Sequence, residues 1–170
     1  MRATAIVVIA LALAACAHAP PVPAVAPAPA FDGADLVRAI RAAGVAAPGE
    51  LDVQPLRDTA IEDLRRDAAA HERAGRIAQS AAALDQALAL RPDDPAVLQE
   101  RAEAALLAGD LDAADAHARR AGAHVTDVGP LCRRHHEALL QIAQVRGDGA
   151  AATHARTRRD ACTVAAAARY

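Results

Sequence analysis

Apolar residues recur at helical spacing through most of this chain, and the glycines that interrupt them recur as well. Gly75 and Gly109 lie 34 residues apart, each closing one helical pattern and opening another. Gly147 follows 38 residues after Gly109, which leaves about one extra helical turn in the last interval. The pattern predicts two hairpins of paired helices, in windows 61–94 and 95–128, and a third, irregular unit over 129–170. In that unit one helix is expected at 131–146 and another from 149 to about 167. A further amphipathic segment, 35–43, carries Leu36, Val37 and Ile40 toward one side. Residues 44–58 read as a loop, so 31–58 is expected to be one helix with its connection, capping the open end of the first hairpin. Local punctuation agrees. Thr59-x-x-Glu62 has the form of a capping box, and Asp94-Pro95 places an acceptor before a proline at a helix start. Gly75, Gly109 and Gly147 fall where left-handed helix caps are wanted.

Aligning the two windows brings out a repeat. Leu64 matches Leu98, Ala68 matches Ala102, Ser80 matches Ala114, and Ala87 matches Ala121. Small residues where paired helices cross, a glycine at the internal turn and Pro92 after the second helix together resemble the tetratricopeptide repeat. The resemblance covers about two-thirds of the chain beyond residue 16, counting the looser third unit. It implies an all-α fold: a short solenoid of antiparallel helix hairpins, two clear repeats plus an irregular third. Positions that are aromatic in the family hold Leu64, His71 and Leu84 in the first unit, and Leu98, Ala105 and Ala118 in the second; Thr126 replaces the second proline. Packing is therefore expected to be weaker than in a typical repeat.

The N-terminus carries a different pattern. Arg2 precedes an apolar run from Ala3 that closes on Leu13-Ala14-Ala15-Cys16. The run is shorter than the roughly 20 residues a spanning helix needs. It resembles a bacterial lipoprotein signal over 1–15, with Cys16 as the lipidated first residue. The alternative is an ordinary export signal cut after Ala17-His18-Ala19. Residues 16–30 hold five prolines after Cys16 and read as an extended tether of some 40 Å at about 3 Å per residue. Ala17 is not an acidic retention signal, so the expected location is the bacterial cell envelope, at the outer membrane facing the periplasm.

Composition sharpens this picture in few places. Of 170 residues 51 are Ala, and Lys, Asn and Trp are absent, so the core must be thin and aliphatic. Residues 31–128 hold 11 Arg against 18 acids, whereas 129–170 hold 7 Arg against 3, giving an acidic body with a basic end. That end is either a solvated surface or a docking face for an anionic partner.

Cys132 and Cys162 are each fifteen residues from Gly147. A hairpin turning at that glycine brings both to one level, and export favours a disulfide between them. Two free thiols, or a metal site in which His135 joins the cysteines from one helical turn away, are the alternatives. The repeated close Cys spacing of structural zinc sites is lacking, so no metal and no cofactor is expected. The sequence holds no Gly-x-Ser-x-Gly elbow, phosphate-binding glycine loop or His-Glu-x-x-His helix. Ser80 sits at a small-residue position, so no enzyme activity is expected.

The functional expectation is an envelope-anchored protein–protein interaction module with an unidentified envelope protein or peptide as partner, and no nucleic acid. The repeat resemblance implies a concave groove whose inner-helix walls would be Glu62, Arg65, Glu72, Gln99, Glu103, Arg134 and Glu137. The alternative is a small structural or spacer lipoprotein that stabilises an envelope assembly and has no peptide groove.

Overall fold

The computed structural model describes residues 31–46, 50 and 58–163. Cys16, the expected signal over 1–15 and the tether over 16–30 lie outside these. Among the described residues every regular element is an α-helix: α1 (Gly33–Ala43), α2 (Thr59–Arg73), α3 (Ile77–Leu90), α4 (Pro95–Leu107), α5 (Leu111–Gly122), α6 (Pro130–Val145) and α7 (Gly149–Ala161). The chain is all-α, and none of these helices is long and apolar enough to cross a membrane.

Three turns built alike set the hairpins. Gly75, Gly109 and Gly147 have φ of +72°, +79° and +70°, a left-handed conformation that side chains with a Cβ disfavour. At each, the next residue reaches back to the carbonyl five positions earlier: Arg76 to His71, Asp110 to Ala105 and Asp148 to Ala143, all at 2.9 Å. This is the Schellman arrangement, which satisfies carbonyls a helix end leaves unpaired. Asp110 and Asp148 then cap the following helix, accepting from the amides of Ala113 and Ala151. Asp94 does the same for α4, with Pro95 at its first position. The expected capping box at Thr59 is displaced by one residue. Asp58 is the N-cap, accepting from Ala60, and Thr59 begins the helix. The last helix closes at Ala161 rather than near 167, with Cys162 as its C-cap.

The short turns pack α2 on α3, α4 on α5, and α6 on α7; α3 then packs on α4, and α5 on α6. Small residues permit the close crossings. Ala68 and Ala102, Ser80 and Ala114, and Ala87 and Ala121 are all buried. Leu98 is fully buried beside Ile61, Leu84, Leu88 and Val97, whereas its counterpart Leu64 is only partly covered.

α1 departs from the expected arrangement. It packs against α4 and α6, and so does not cap the first hairpin. Its Val37 and Ile40 insert among Ala102, Ala105, Leu106, Ala138 and Ile142. Burying two such side chains contributes roughly 1.5–3 kcal/mol each. Gly33 makes the fit possible, since a Cβ there would stand 2.1 Å from the Leu106 carbonyl oxygen. The stripe on α1 finds an apolar seam between two helices of successive hairpins, where the first hairpin's end would offer it less to bury.

Candidate functional site

Glu103, on α4 beneath α1, organises the charged interior. Its side chain is wholly buried. Arg134 on α6 donates to both oxygens at 2.6 Å. Arg41, in the last turn of α1, donates from Nε at 2.8 Å, and Gln99 from Nε2 at 3.1 Å. Burial works against the ionised carboxylate, but the charges of Arg134 and Arg41 outweigh it and hold Glu103 below the usual glutamate range. Arg41 also forks onto Glu72 of α2, at 2.6 and 2.9 Å. Two arginines and two glutamates thus tie α1, α2, α4 and α6 into one neutral cluster.

Beside this cluster a cleft of about 610 Å³ stays open between α2, α4 and the end of α1. Glu62, Arg65, Arg66, Glu72 and Arg73 of α2, Glu100 of α4, Arg134 of α6 and Arg41 of α1 line it; Ala68, Ser80 and Leu84 also contribute. Arg65 donates to Glu100 and, at 2.8 Å, to Glu62, so it stands as a fixed guanidinium between two carboxylates. Among the described residues five arginines and three glutamates line it; Glu103 and Asp63 beside them pair with Arg41, Arg134 and Arg66, which leaves the exposed Arg66 and Arg73 facing solvent. Among the described residues no His or Cys lines this cleft, and the one hydroxyl there, Ser80, is buried by packing.

Of the seven residues expected on a groove wall, Glu62, Arg65, Glu72 and Arg134 line this cleft. Gln99, Glu103 and Glu137 do not belong to an open wall, because all three are buried. Arg41 of α1 pairs with Glu103, Gln99 donates to that same carboxylate, and Glu137 is paired with Arg159 of α7 at 2.6 Å. Neither Arg41 nor Glu100 was marked as a partner by residue spacing. Their roles depend on where α1 docks and how the first two hairpins meet.

The basic end is largely neutralised within the chain. Arg133 donates to the carbonyls of Ala43 and Val45 and forks onto Glu50, so it fastens the end of α1. Arg134 is spent on Glu103, Arg158 on Asp127, and Arg159 on Glu137 and Asp160. Arg156 is exposed.

Cys132 and Cys162 are joined by a disulfide with Cα atoms 5.7 Å apart, and both are buried. The Gly129 amide donates to the Cys162 carbonyl at 2.9 Å, so the start of α6 and the end of α7 meet at this level. His136, rather than His135, lies beside the two sulfurs. The His135 ring is turned toward Gly122, where a Cβ would come within 2.9 Å of its Nε2. Burial, with a smaller effect from the neighbouring His136, pulls His135 down to about 4. Compared with known proteins, the chain matches no family model, no curated protein and no solved structure.

Proposed function

We propose that this chain is a short tetratricopeptide-like solenoid that works as an envelope-anchored interaction module, held through a lipid on Cys16 at the outer membrane and facing the periplasm. Its binding surface is the charged cleft beside α2, and its ligand is a peptide segment of an envelope protein with carboxylates to meet the exposed Arg66 and Arg73. The carrying observation is that this cleft stays open while α1 fills the seam between α4 and α6. The 34-residue register, the repeated left-handed glycine turns and the buried small residues at crossings support the solenoid reading. Several of the charged side chains that line the cleft are already ion-paired, Arg65 with Glu62 and Glu100 and Arg41 with Glu72, which suits a recognition surface.

The spacer reading draws on α1 as well, since a chain that covers part of its own inner face gives up binding area. Arg66 separates the two. It lines the cleft, its side chain is 75% exposed, and among the described residues it pairs with neighbouring Asp63 alone. Arg66→Glu reverses one charge with little effect on folding. A binding cleft requires capture of the envelope partner to fall at least about tenfold, or about 1.4 kcal/mol, at unchanged melting temperature. Equal capture by wild type and variant sinks the cleft and leaves the spacer. Glu103 and Arg134 are unsuitable for this comparison, because they hold the fold together.

A further inference from the structure

We infer that the reduced form of this chain binds one zinc ion through Cys132, Cys162 and His136. The three residues each offer a ligand atom, and these atoms lie within 4.8 Å of one another. Cys132 and His136 are four residues apart on α6, so they share one helix face. Cys162 comes from the end of α7 across the hairpin. A second observation points the same way. The Nδ1 atom of His136 is buried and has no hydrogen-bond partner among the described residues. Such an atom is costly unless something binds the ring or its surroundings.

The chemistry of the donors selects the ion. Two thiolates and an imidazole suit a borderline-soft cation that accepts tetrahedral geometry, which describes zinc. Binding displaces one proton from each thiol. Two thiolates, one Zn²⁺ and a neutral imidazole then sum to zero charge, which a buried site tolerates best. Three protein ligands leave a fourth position for water or an anion.

The geometry needs one adjustment. At metal–sulfur distances of about 2.3 Å, tetrahedral thiolates stand roughly 3.8 Å apart, so the sulfurs must separate from their bonded positions. Cys162 is the C-cap of α7 and not an interior residue, so the last turn of that helix can supply the movement. Zinc binding and the disulfide use the same two sulfurs and exclude one another. A newly made chain with both thiols free could therefore carry the ion. Conversion of the disulfide back to that state takes two electrons and two protons from a dithiol or phosphine, which is itself oxidised.

The full chain carrying Cys16→Ser leaves these two cysteines alone and gives a clean test. Reduced with a phosphine and freed of reductant under anaerobic conditions, it should bind one equivalent of Co²⁺ with near-ultraviolet thiolate-to-metal absorption. Zn²⁺ should displace the cobalt and slow alkylation of both thiols. The oxidised chain should bind neither ion. His136→Ala should weaken zinc at least about tenfold, the lower end of what losing even an outer-shell partner costs. Its oxidised form should still hold the disulfide and melt like wild type, which separates ligand loss from misfolding. Cobalt binding without thiolate absorption overturns the site. So does equal affinity in the oxidised and reduced chains, or in wild type and a folded His136→Ala variant.

Discussion

Glu103 shows how one side chain can look like a binding residue in sequence and act as a keystone in the fold. Its place on an inner helix face was readable, but the helix that covers it was not. Replacing it by Gln keeps the shape and removes the charge that Arg134 and Arg41 share. Those arginines are 24% and 42% exposed, so water takes up part of the loss. Glu103→Gln should therefore cost about 2–3 kcal/mol, less than breaking a fully buried pair. The pH dependence follows from the lowered affinity of Glu103 for protons. Below the ordinary value of 4.5 the unfolded chain takes up the proton first, so stability falls as pH drops from there toward the lower folded value. Denaturant melts from pH 7 to 3 should show a shallower acid loss in Glu103→Gln than in wild type. Parallel curves would mean that Glu103 is not ionised through its arginine partners. His136 teaches a related lesson. Residues three and four positions beyond Cys132 share its helix face, and sequence spacing alone does not choose between His135 and His136.

Helix ends were the most legible feature, because caps are written in a few adjacent residues. The three left-handed glycines and the Asp94-Pro95 start stand where their chemistry requires. Thr59 misled by one position because Asp58, an equally good acceptor, precedes it. One start lacks a side-chain cap where its equivalents have one. Arg76 occupies the position of Asp110 and Asp148, with φ and ψ of −90° and 66° against −95° and 87° for Asp110, yet makes no capping bond to α3. Arg76→Asp should supply the missing acceptor and place a negative charge at the positive end of the helix dipole. The expected gain is about 1 kcal/mol, or roughly 3 °C in melting temperature for a chain of this size. The exposed hydrogen bond from Arg76 to His71 would be lost. A melting temperature that stays level or falls would show that this bond outweighs the cap. The destination of α1 was the least legible element. An apolar stripe says that a helix must bury one face, but it names no neighbour, and the seam that receives α1 exists only once α4 and α6 are assembled.

At the scale of the whole molecule, stability should be uneven along the row of hairpins. The first hairpin docks through α3 on α4, aided by the ion pairs Arg41–Glu72, Arg65–Glu100 and Arg101–Asp85. Its other side has no helix packed on it among the described elements. The third hairpin receives α1 and α5 on α6 and is closed by the disulfide. In a row of units that contact only neighbours, local opening follows such differences. Amides of α2 should therefore exchange with solvent faster than those of α6. The bond matters most for α7, whose own core is small: Ala152 and Ala155 pack against Leu140 and Ala143. Joining residues 30 positions apart constrains the unfolded chain by about 3–4 kcal/mol. Reduction in the presence of a chelator should raise exchange in α7 by roughly two orders of magnitude while α2 changes little. The pairing of thiols about Gly147 was readable from equal spacing, but this consequence was not, because it depends on how little else holds the last helix. Exchange in α7 that is unmoved by reduction would mean that packing alone secures the hairpin. A rise shared equally by α2 and α7 would mean that the domain opens as one cooperative unit.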